Sequence, residues 1–461
     1  MSSALIGERV ENHTVDGVTP ERPRRRRPRP TWVAFTAVAV LAAVLVGLHI
    51  RAYYPLSLYD EPQHVDYVHR LVDGEIPVSG DHWVPATTES TTCRTIDSPG
   101  TYVPPCGTTD LSTAPNGGLT AAFHHTPLYY LVPTGAVVLA EALGVSVDDV
   151  DVMRSTGILW LVAALALLWL LWRDFGVPWQ ARVGLSLALT AAPVVLLAQA
   201  AVTNDATALA AGAAVTLATL RWDRGRVGLW FPLAASVLAV ALKATSLAVV
   251  IAACAFVLVR ALQRSTTTQA RLREVLAGRT VLFVGSLAVA SGAVGIGWSA
   301  IYHSRAILDE HLIPQNVGLT VHAFFPGWLG TAVPALISPL EPEFYQSVLT
   351  GTASAVIVGN LVSAGLLVLA MVGAVRSEPG SALRALAIAL GFAALTFGPL
   401  FTVMQYVGSS MQFPIPARYG FSLVPGLLVV AGTAVRTRRG AWVLLGVGVV
   451  FYLLIARKLL G

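Results

Sequence analysis

The sequence predicts an all-α polytopic membrane protein, and three observations carry that prediction. Of 461 residues, 55% are hydrophobic and 12% charged, against about 25% charge in an ordinary water-soluble chain. Mean hydropathy is +0.66. Apolar runs close to the length that crosses a bilayer as a helix recur along the chain. A soluble enzyme and a disordered chain are thereby excluded. Three cysteines are too few for a disulfide scaffold or a cysteine-rich metal module.

Residues 1–30 are polar and end in the arginine cluster Arg22–Arg29. They read as a disordered basic cytoplasmic tail that can also touch anionic headgroups. The cluster lacks interleaved aromatics, so no nucleic-acid partner is expected. The following apolar run is full length and continues into aromatic and basic residues, which marks an uncleaved first span rather than a signal peptide. About 11 transmembrane helices are expected, at 32–50, 154–172, 183–202, 205–220, 229–243, 244–262, 280–300, 352–375, 384–404, 418–434 and 441–457.

With the N-terminus inside, the loops 173–182, 221–228, 260–279, 376–384 and 435–440 are cytoplasmic. Together with the tail they hold 22 of the 31 basic residues. The long segments 51–153 and 301–351 then face outward, and 51–153 has 13 of the 26 acidic residues against three arginines. This is the asymmetry of the positive-inside rule. Residues 127–143 are apolar enough to count as a span, but counting them would invert every later loop. They are read as a helix lying in or dipping into the outer interface. The stretch 323–338, broken by Pro326 and Pro334, is treated likewise, as a re-entrant segment. Parity then puts the C-terminus outside. The expected organisation is a tail (1–30), a catalytic transmembrane module with its outer loop (31–300), a second outer loop (301–351) and C-terminal transmembrane helices (352–461).

Chemistry is expected on the outward face, where eight of the ten histidines fall. The sharpest cluster follows the first span. From Glu61 the apolar spacing is helical, an amphipathic stripe parallel to the interface, with Asp60 at the N-cap, Pro62 in the first turn and Gln63 placed as in a capping box. A plain cap needs one Asp and accounts for neither Glu61 nor His64, which would share the first turn with Asp60 and could bind one proton or one cation. His124, His125, Tyr129 and Tyr130 open the interfacial helix, either as an aromatic belt or lining a substrate site. Arg154, Lys243 and Arg418 map to outward helix ends. Snorkelling is their ordinary explanation, but outward ends are otherwise nearly free of cations, so an anionic partner such as a lipid phosphate is expected there. Asn204 and Asp205 face the same region, with a turn role as the alternative. Cys93 and Cys106 lie in the outer loop, where a disulfide is the expected state, and mid-span Cys254 is packing.

Taken in order, these motifs resemble the GT-C superfamily of membrane glycosyltransferases. They are the acidic pair Asp60–Glu61 after the first span, His125-Thr-Pro-Leu-Tyr-Tyr130, Arg154 opening the next span and the turn Asn204–Asp205. Lys243-Ala-Thr245 and Arg418-Tyr419 followed by Pro425 complete the set. That superfamily includes protein O-mannosyltransferases, lipid A aminoarabinose transferases and mycobacterial arabinosyltransferases. The Asp-Glu-Pro-x-His run is most similar to a group of actinobacterial membrane proteins. The resemblance implies a GT-C-like bundle and a polyprenyl-phosphate sugar donor. It also implies a polysaccharide, glycolipid or protein acceptor, with membrane lipids around the chain and a place in cell-wall assembly. It makes Asp60 the catalytic carboxylate, with Glu61 helping to bind acceptor or donor. His125 takes the first position of the family's His/Lys-Pro-Pro-Leu-Tyr stretch, and Arg418 contacts the donor phosphate with Lys243, Arg154 and Tyr419 near it. Thr126 stands where the family often has a proline, and the chain lacks the large soluble C-terminal domain of several relatives.

Such a transfer needs few parts. The leaving group is already a stable phosphate anion, so no acid is required at the leaving oxygen, unlike in glycosidases. One carboxylate takes the acceptor proton and one or two cations meet the developing phosphate charge. No cofactor is expected, with a divalent cation on Asp60, Glu61 and His64 as the alternative. The competing function is a secondary transporter or flippase, for which internal repeats and midplane polar groups would be the signs.

Overall fold

The computed structural model describes residues 31–57, 60–97, 102–264, 267–309 and 353–461, with scattered positions between 310 and 352. The basic tail lies outside the described residues, as does most of the expected re-entrant stretch 323–338. Among the described residues the chain is helical, apart from one pair of two-residue strands, β1 (Leu56–Ser57) and β2 (Ile96–Asp97), which run parallel. Helices dominate because lipid offers no partner to backbone amides, so each segment must satisfy its own.

The long helices in order are α1 (Thr31–Ala52), α6 (Gly157–Asp174), α7 (Trp179–Ala191) with α8 (Pro193–Ala200), α9 (Ala208–Asp223), α10 (Trp230–Leu242), α11 (Leu247–Gln263) and α13 (Gly278–Arg305). After these come α14 (Ala353–Arg376), α15 (Ala382–Ser409), α16 (Val424–Ala434) and α17 (Arg438–Leu460). Each of the eleven expected spans falls on one of these elements. Among the described residues, eight helices are long and apolar enough to cross a membrane, or nine with the bent pair α7–α8. Helices α9 and α10 make up the difference from the expected eleven. Helices α9 and α10 have 16 and 13 residues, about 24 and 20 Å at the rise of an α-helix, short of a hydrocarbon core of about 30 Å. Pro193 makes the break between α7 and α8: Ala192 before it is extended, and the axis bends by 68°.

The helices alternate between two chemically different ends. At one end Arg221 pairs with Asp174 at 3.3 Å, while Arg260 and Arg264 pair with Asp223 at 3.1 and 2.9 Å. Arg279 donates to the Trp222 carbonyl and Arg436 to that of Arg376. At the other end lie the loop after α1, the turn 204–207, Lys243 and the 3-10 segment Ala417–Leu423. Helix α17 runs alongside α7 in the same direction, Trp442 against Trp179 and Gly448 against Gly184. Its C-terminus therefore reaches the second end.

The loop 53–148 folds into a cap over that end. Helix α2 (Glu61–Val72) is buried from Glu61 to Arg70, enclosed by α3 (Pro85–Arg94), α4 (Leu131–Ala142) and the 3-10 turn Ala122–His124. It is therefore no amphipathic helix parallel to an interface, as its periodicity suggests; the cap covers its polar face. Its polar residues are satisfied inside: Asp66 accepts from Arg70 at 3.0 Å and from the Val84 amide at 2.9 Å. Cys93 and Cys106 form a disulfide that staples the outer part of the cap. Arg94 bonds Asp148 and Asp151, tying α3 to α5 (Asp149–Ser155). Helix α4, with 12 residues, exposes Leu131, Val138 and Leu139 and is too short to cross. After α13, the Ile307 and Leu308 amides donate to the Ser79 carbonyl at 2.9 and 3.1 Å, pinning the start of the second loop to the cap.

Two glycines set how closely the site elements approach. A Cβ on Gly157 would lie 1.9 Å from the Gln199 carbonyl, and one on Gly212 would lie 2.1 Å from the Ser422 carbonyl. The first crossing seats α6 against the end of α8; the second draws the segment bearing Arg418 onto α9. Gly157→Ala should lower stability by about 1–3 kcal/mol, the usual cost of overpacking, read as a drop in melting temperature of the detergent-purified protein. Wild-type melting would mean that the helices can separate there without loss.

Candidate active site

Five segments converge: the loop after α1, α2, the 122–130 stretch, the 203–207 turn with Lys243, and the 417–423 segment. The adjacent acids Asp60 and Glu61 have opposite fates there.

Glu61 is fully buried and faces Arg154, also fully buried. Its two oxygens accept from Arg154 Nε and Nη2, each at 2.8 Å, and also from the amides of Ser57 and Val202. Arg154 spends its remaining donors on the Tyr53 and Pro55 carbonyls, both at 2.7 Å. Every strong contact of the pair is internal. This corrects the expectation that Glu61 and Arg154 meet substrate: together they lock α1, α2, α5 and the end of α8.

Asp60 occupies the N-cap position but does not cap. Its backbone is left-handed (φ 55, ψ 23) and its side chain makes no cap hydrogen bond. Gln63 does not complete a capping box either; its Oε1 accepts from Trp83 Nε1 and the Ala121 amide at 3.2 and 2.8 Å. A left-handed non-glycine residue costs about 1–3 kcal/mol, and the Glu61 lock one residue later holds it there. Asp60 keeps solvent-accessible surface while lying deep among protein atoms. Burial among those atoms raises its pKa above the ordinary carboxylate value. Arg418 pulls against that rise, Asp205 adds to it and Lys243 opposes it.

Opposite Asp60 sits a charge triad. Asp205 pairs through Oδ1 with Lys243 and through Oδ2 with Arg418 Nε at 3.2 Å. Thr203 caps the turn, its hydroxyl accepting from the Asp205 amide at 3.3 Å. Lys243, at an extended break between α10 and the next 3-10 turn, also donates to Asn204 Oδ1 at 3.3 Å. Its ammonium lies 5.4 Å from the Tyr419 ring centroid. Asn204 Nδ2 is buried with no hydrogen-bond partner.

The third wall is aromatic. His64 Nδ1 shares a 2.6 Å hydrogen bond with Tyr130 Oη, and Tyr130 stacks on Tyr67 at 3.8 Å. His125 stacks on His64 at 5.4 Å and touches His124 at 3.9 Å. Tyr129 packs edge-on against Tyr130, ring centroids 5.0 Å apart. Thr126, in place of the proline, hydrogen-bonds the Ala241 carbonyl and so ties this wall to α10. Burial, with Lys243 next, lowers the His64 pKa to about 3. Burial lowers that of His124 to about 4 and that of His125 well below its ordinary value. All three are neutral near pH 7 and can exchange hydrogen bonds without adding charge.

The structure thus brings together Asp60, His64, His124, His125, Tyr129, Asn204, Asp205, Lys243, Arg418 and Tyr419, and diverts Glu61 and Arg154 to support. Tyr130 and Thr203 are additions. Tyr130 was legible as either a belt aromatic or a site-lining residue, and Thr203 carries no signal beyond its place before Asn204. The expected cation ligands do not converge, because Glu61 is spent on Arg154 and His64 Nδ1 on Tyr130. Among the described residues no group of three or more His, Cys, Asp or Glu side chains suits a metal ion. The small cavity lined by Thr216, Thr219, Phe256 and Leu390 includes none of these residues.

Glu61→Gln and Arg154→Met should each destabilise the fold by about 3–5 kcal/mol, because each leaves the other charge buried and unpaired. The double variant should recover part of that loss. Unfolding of detergent-purified variants measures this; additive losses would show that the two side chains are not coupled.

No family model matches the chain, and no curated protein matches it. Among solved structures it is similar to ArnT from Cupriavidus metallidurans bound to undecaprenyl phosphate, with 16% sequence identity and a TM-score of 0.49. The alignment covers 91% of this chain and 62% of that one, so the chain spans about three fifths of the length of that protein.

Proposed function

We infer that this chain is an integral-membrane glycosyltransferase that moves a sugar from a polyprenyl-phosphate donor to an acceptor hydroxyl. The carrying observation is Asp60: a strained, uncapped, accessible carboxylate beside two cations at the end of a membrane bundle. A carboxylate with a raised pKa is, in its ionised form, a stronger base than an ordinary one. It takes the proton of the acceptor oxygen as that oxygen attacks the anomeric carbon. The bond from that carbon to the phosphate oxygen breaks, Arg418 and Lys243 receive the phosphate charge, and direct displacement inverts the anomeric centre. Neutral His124 and His125 can orient sugar hydroxyls by hydrogen bonding.

The arginine-rich end opposite the site supports a cytoplasmic assignment for that end and an extracytoplasmic one for the site. Acceptors on that side include cell-wall polysaccharide, glycolipid and protein. A lipid donor suits a site at a helix end, where headgroups rest. A transporter would place its polar groups near the middle of the helices; this cluster lies at their ends.

Purified protein given polyprenyl-phosphate sugars and an acceptor should release polyprenyl phosphate. Uptake into proteoliposomes without bond cleavage would refute the reading. Asp60→Asn should cut transfer by about 10²–10⁴-fold. It should not lower the melting temperature: asparagine tolerates the left-handed backbone, and the change removes a charge that the fold disfavours. In wild type, kcat/KM should fall with acidification through a pKa above the ordinary carboxylate range, because protonated Asp60 is no base. An acid limb at or below that range would overturn the assignment.

A further inference from the structure

Asp205 is the acid in the site that the proposed chemistry does not use, and it holds both cations that the chemistry needs. Its two oxygens are divided between them, Oδ1 to Lys243 and Oδ2 to Arg418. The cations come from different elements, one between α10 and α11 and one from the 417–423 segment. Asp205 itself is nearly inaccessible, on a turn capped by Thr203, so it has no room to swing away. The Asp60 carboxylate makes no cap hydrogen bond, although the same two cations act on it. The groups facing Asp205 are Lys243, Arg418 and His64, with Asp60, Tyr129 and Tyr130 around the same site.

A phosphate that approaches Lys243 and Arg418 therefore meets an anion already in contact with both. We propose that Asp205 is a resident counter-ion that competes with phosphate for Lys243 and Arg418, weakening the hold on the departing lipid phosphate so that it can leave. It is a positioning residue, acting through the two cations and touching no reacting atom. The inference rests on the reading of Arg418 and Lys243 as a lipid-phosphate site. It has two consequences. The cations remain placed and charged without a ligand, at low affinity for anions. Their commitment to Asp205 also leaves Asp60 without a direct ion pair, in keeping with its role as base.

The test is binding of farnesyl phosphate, a short prenyl phosphomonoester, to the full-length protein in detergent at pH 7 by titration calorimetry. Asp205→Asn should tighten the dissociation constant about tenfold, equivalent to about 1.4 kcal/mol, while Asp205→Glu keeps the wild-type value. Arg418→Ala should weaken binding. If wild type binds, Arg418→Ala weakens it and Asp205→Asn binds no tighter, the counter-ion role fails and the phosphate site stands. If wild type does not bind and Arg418→Ala changes nothing, the phosphate site itself fails, and the inference with it. Should Asp205→Asn not fold, difference infrared spectra of Asp60→Asn with and without farnesyl phosphate decide. A shifted carboxylate band is expected as Asp205 loses its cations, and unchanged carboxylate bands overturn the proposal.

Discussion

The buried pair of Glu61 and Arg154 is the constraint on which the rest of the cap end depends. Two charges withdrawn from water are tolerable only if every donor and acceptor finds a partner. Here Arg154 spans from α5 to the Tyr53 and Pro55 carbonyls while Glu61 collects amides from Ser57 and Val202. Three stretches far apart in sequence, 53–61, Arg154 and Val202, are thus forced to one point. Asp60 precedes that point by one residue, and its left-handed backbone follows from the position of Glu61 and the direction of the chain arriving from Ser57. Strain at a functional residue persists only where its surroundings over-determine it. The bidentate lock supplies that.

The acids of the site divide the work by their partners. Glu61 has a guanidinium and is structural. Asp205 has two cations, one on each oxygen, and sets their placement. Asp60 makes no side-chain cap hydrogen bond, retains access to solvent and titrates high. Were all three similarly paired, none could act as a base; were none paired, like charges in a crowded end would neutralise one another by binding protons. The neutral histidines fit the same logic, since burial removes their charge and leaves their hydrogen-bonding capacity.

Much of this was legible in the sequence, and the missing parts share a cause. Charge asymmetry separated the arginine end from the acidic end, and apolar runs located all eleven helical segments. Spacing showed that Asp60 and His64 are close. Composition does not report length in space, however, so α9 and α10 were read as full spans although they are short. Periodicity showed an apolar face on α2 but gave no hint that Asp66 and Arg70 on the other face would be satisfied by the cap. Arg154 and Lys243 were expected to meet an anionic partner such as a lipid phosphate. The anions they meet are Glu61 and Asp205, and a pairing across 93 residues leaves no local signature.

The same geometry bears on whether the end of the bundle acts as a site or as a seal. A seal would pair every charge and cover it; at the opposite end Asp223, nearly inaccessible, is paired with two arginines. At the cap end, the loop instead stops short of Asp60 and His124, which keep solvent-accessible surface amid dense packing. The disulfide, the Arg94 tie and the Ser79 pin all strengthen the cap while Asp60 and His124 stay accessible. An assembly that rigidifies everything around one strained acid while keeping it accessible is built to hold a reactant against that acid.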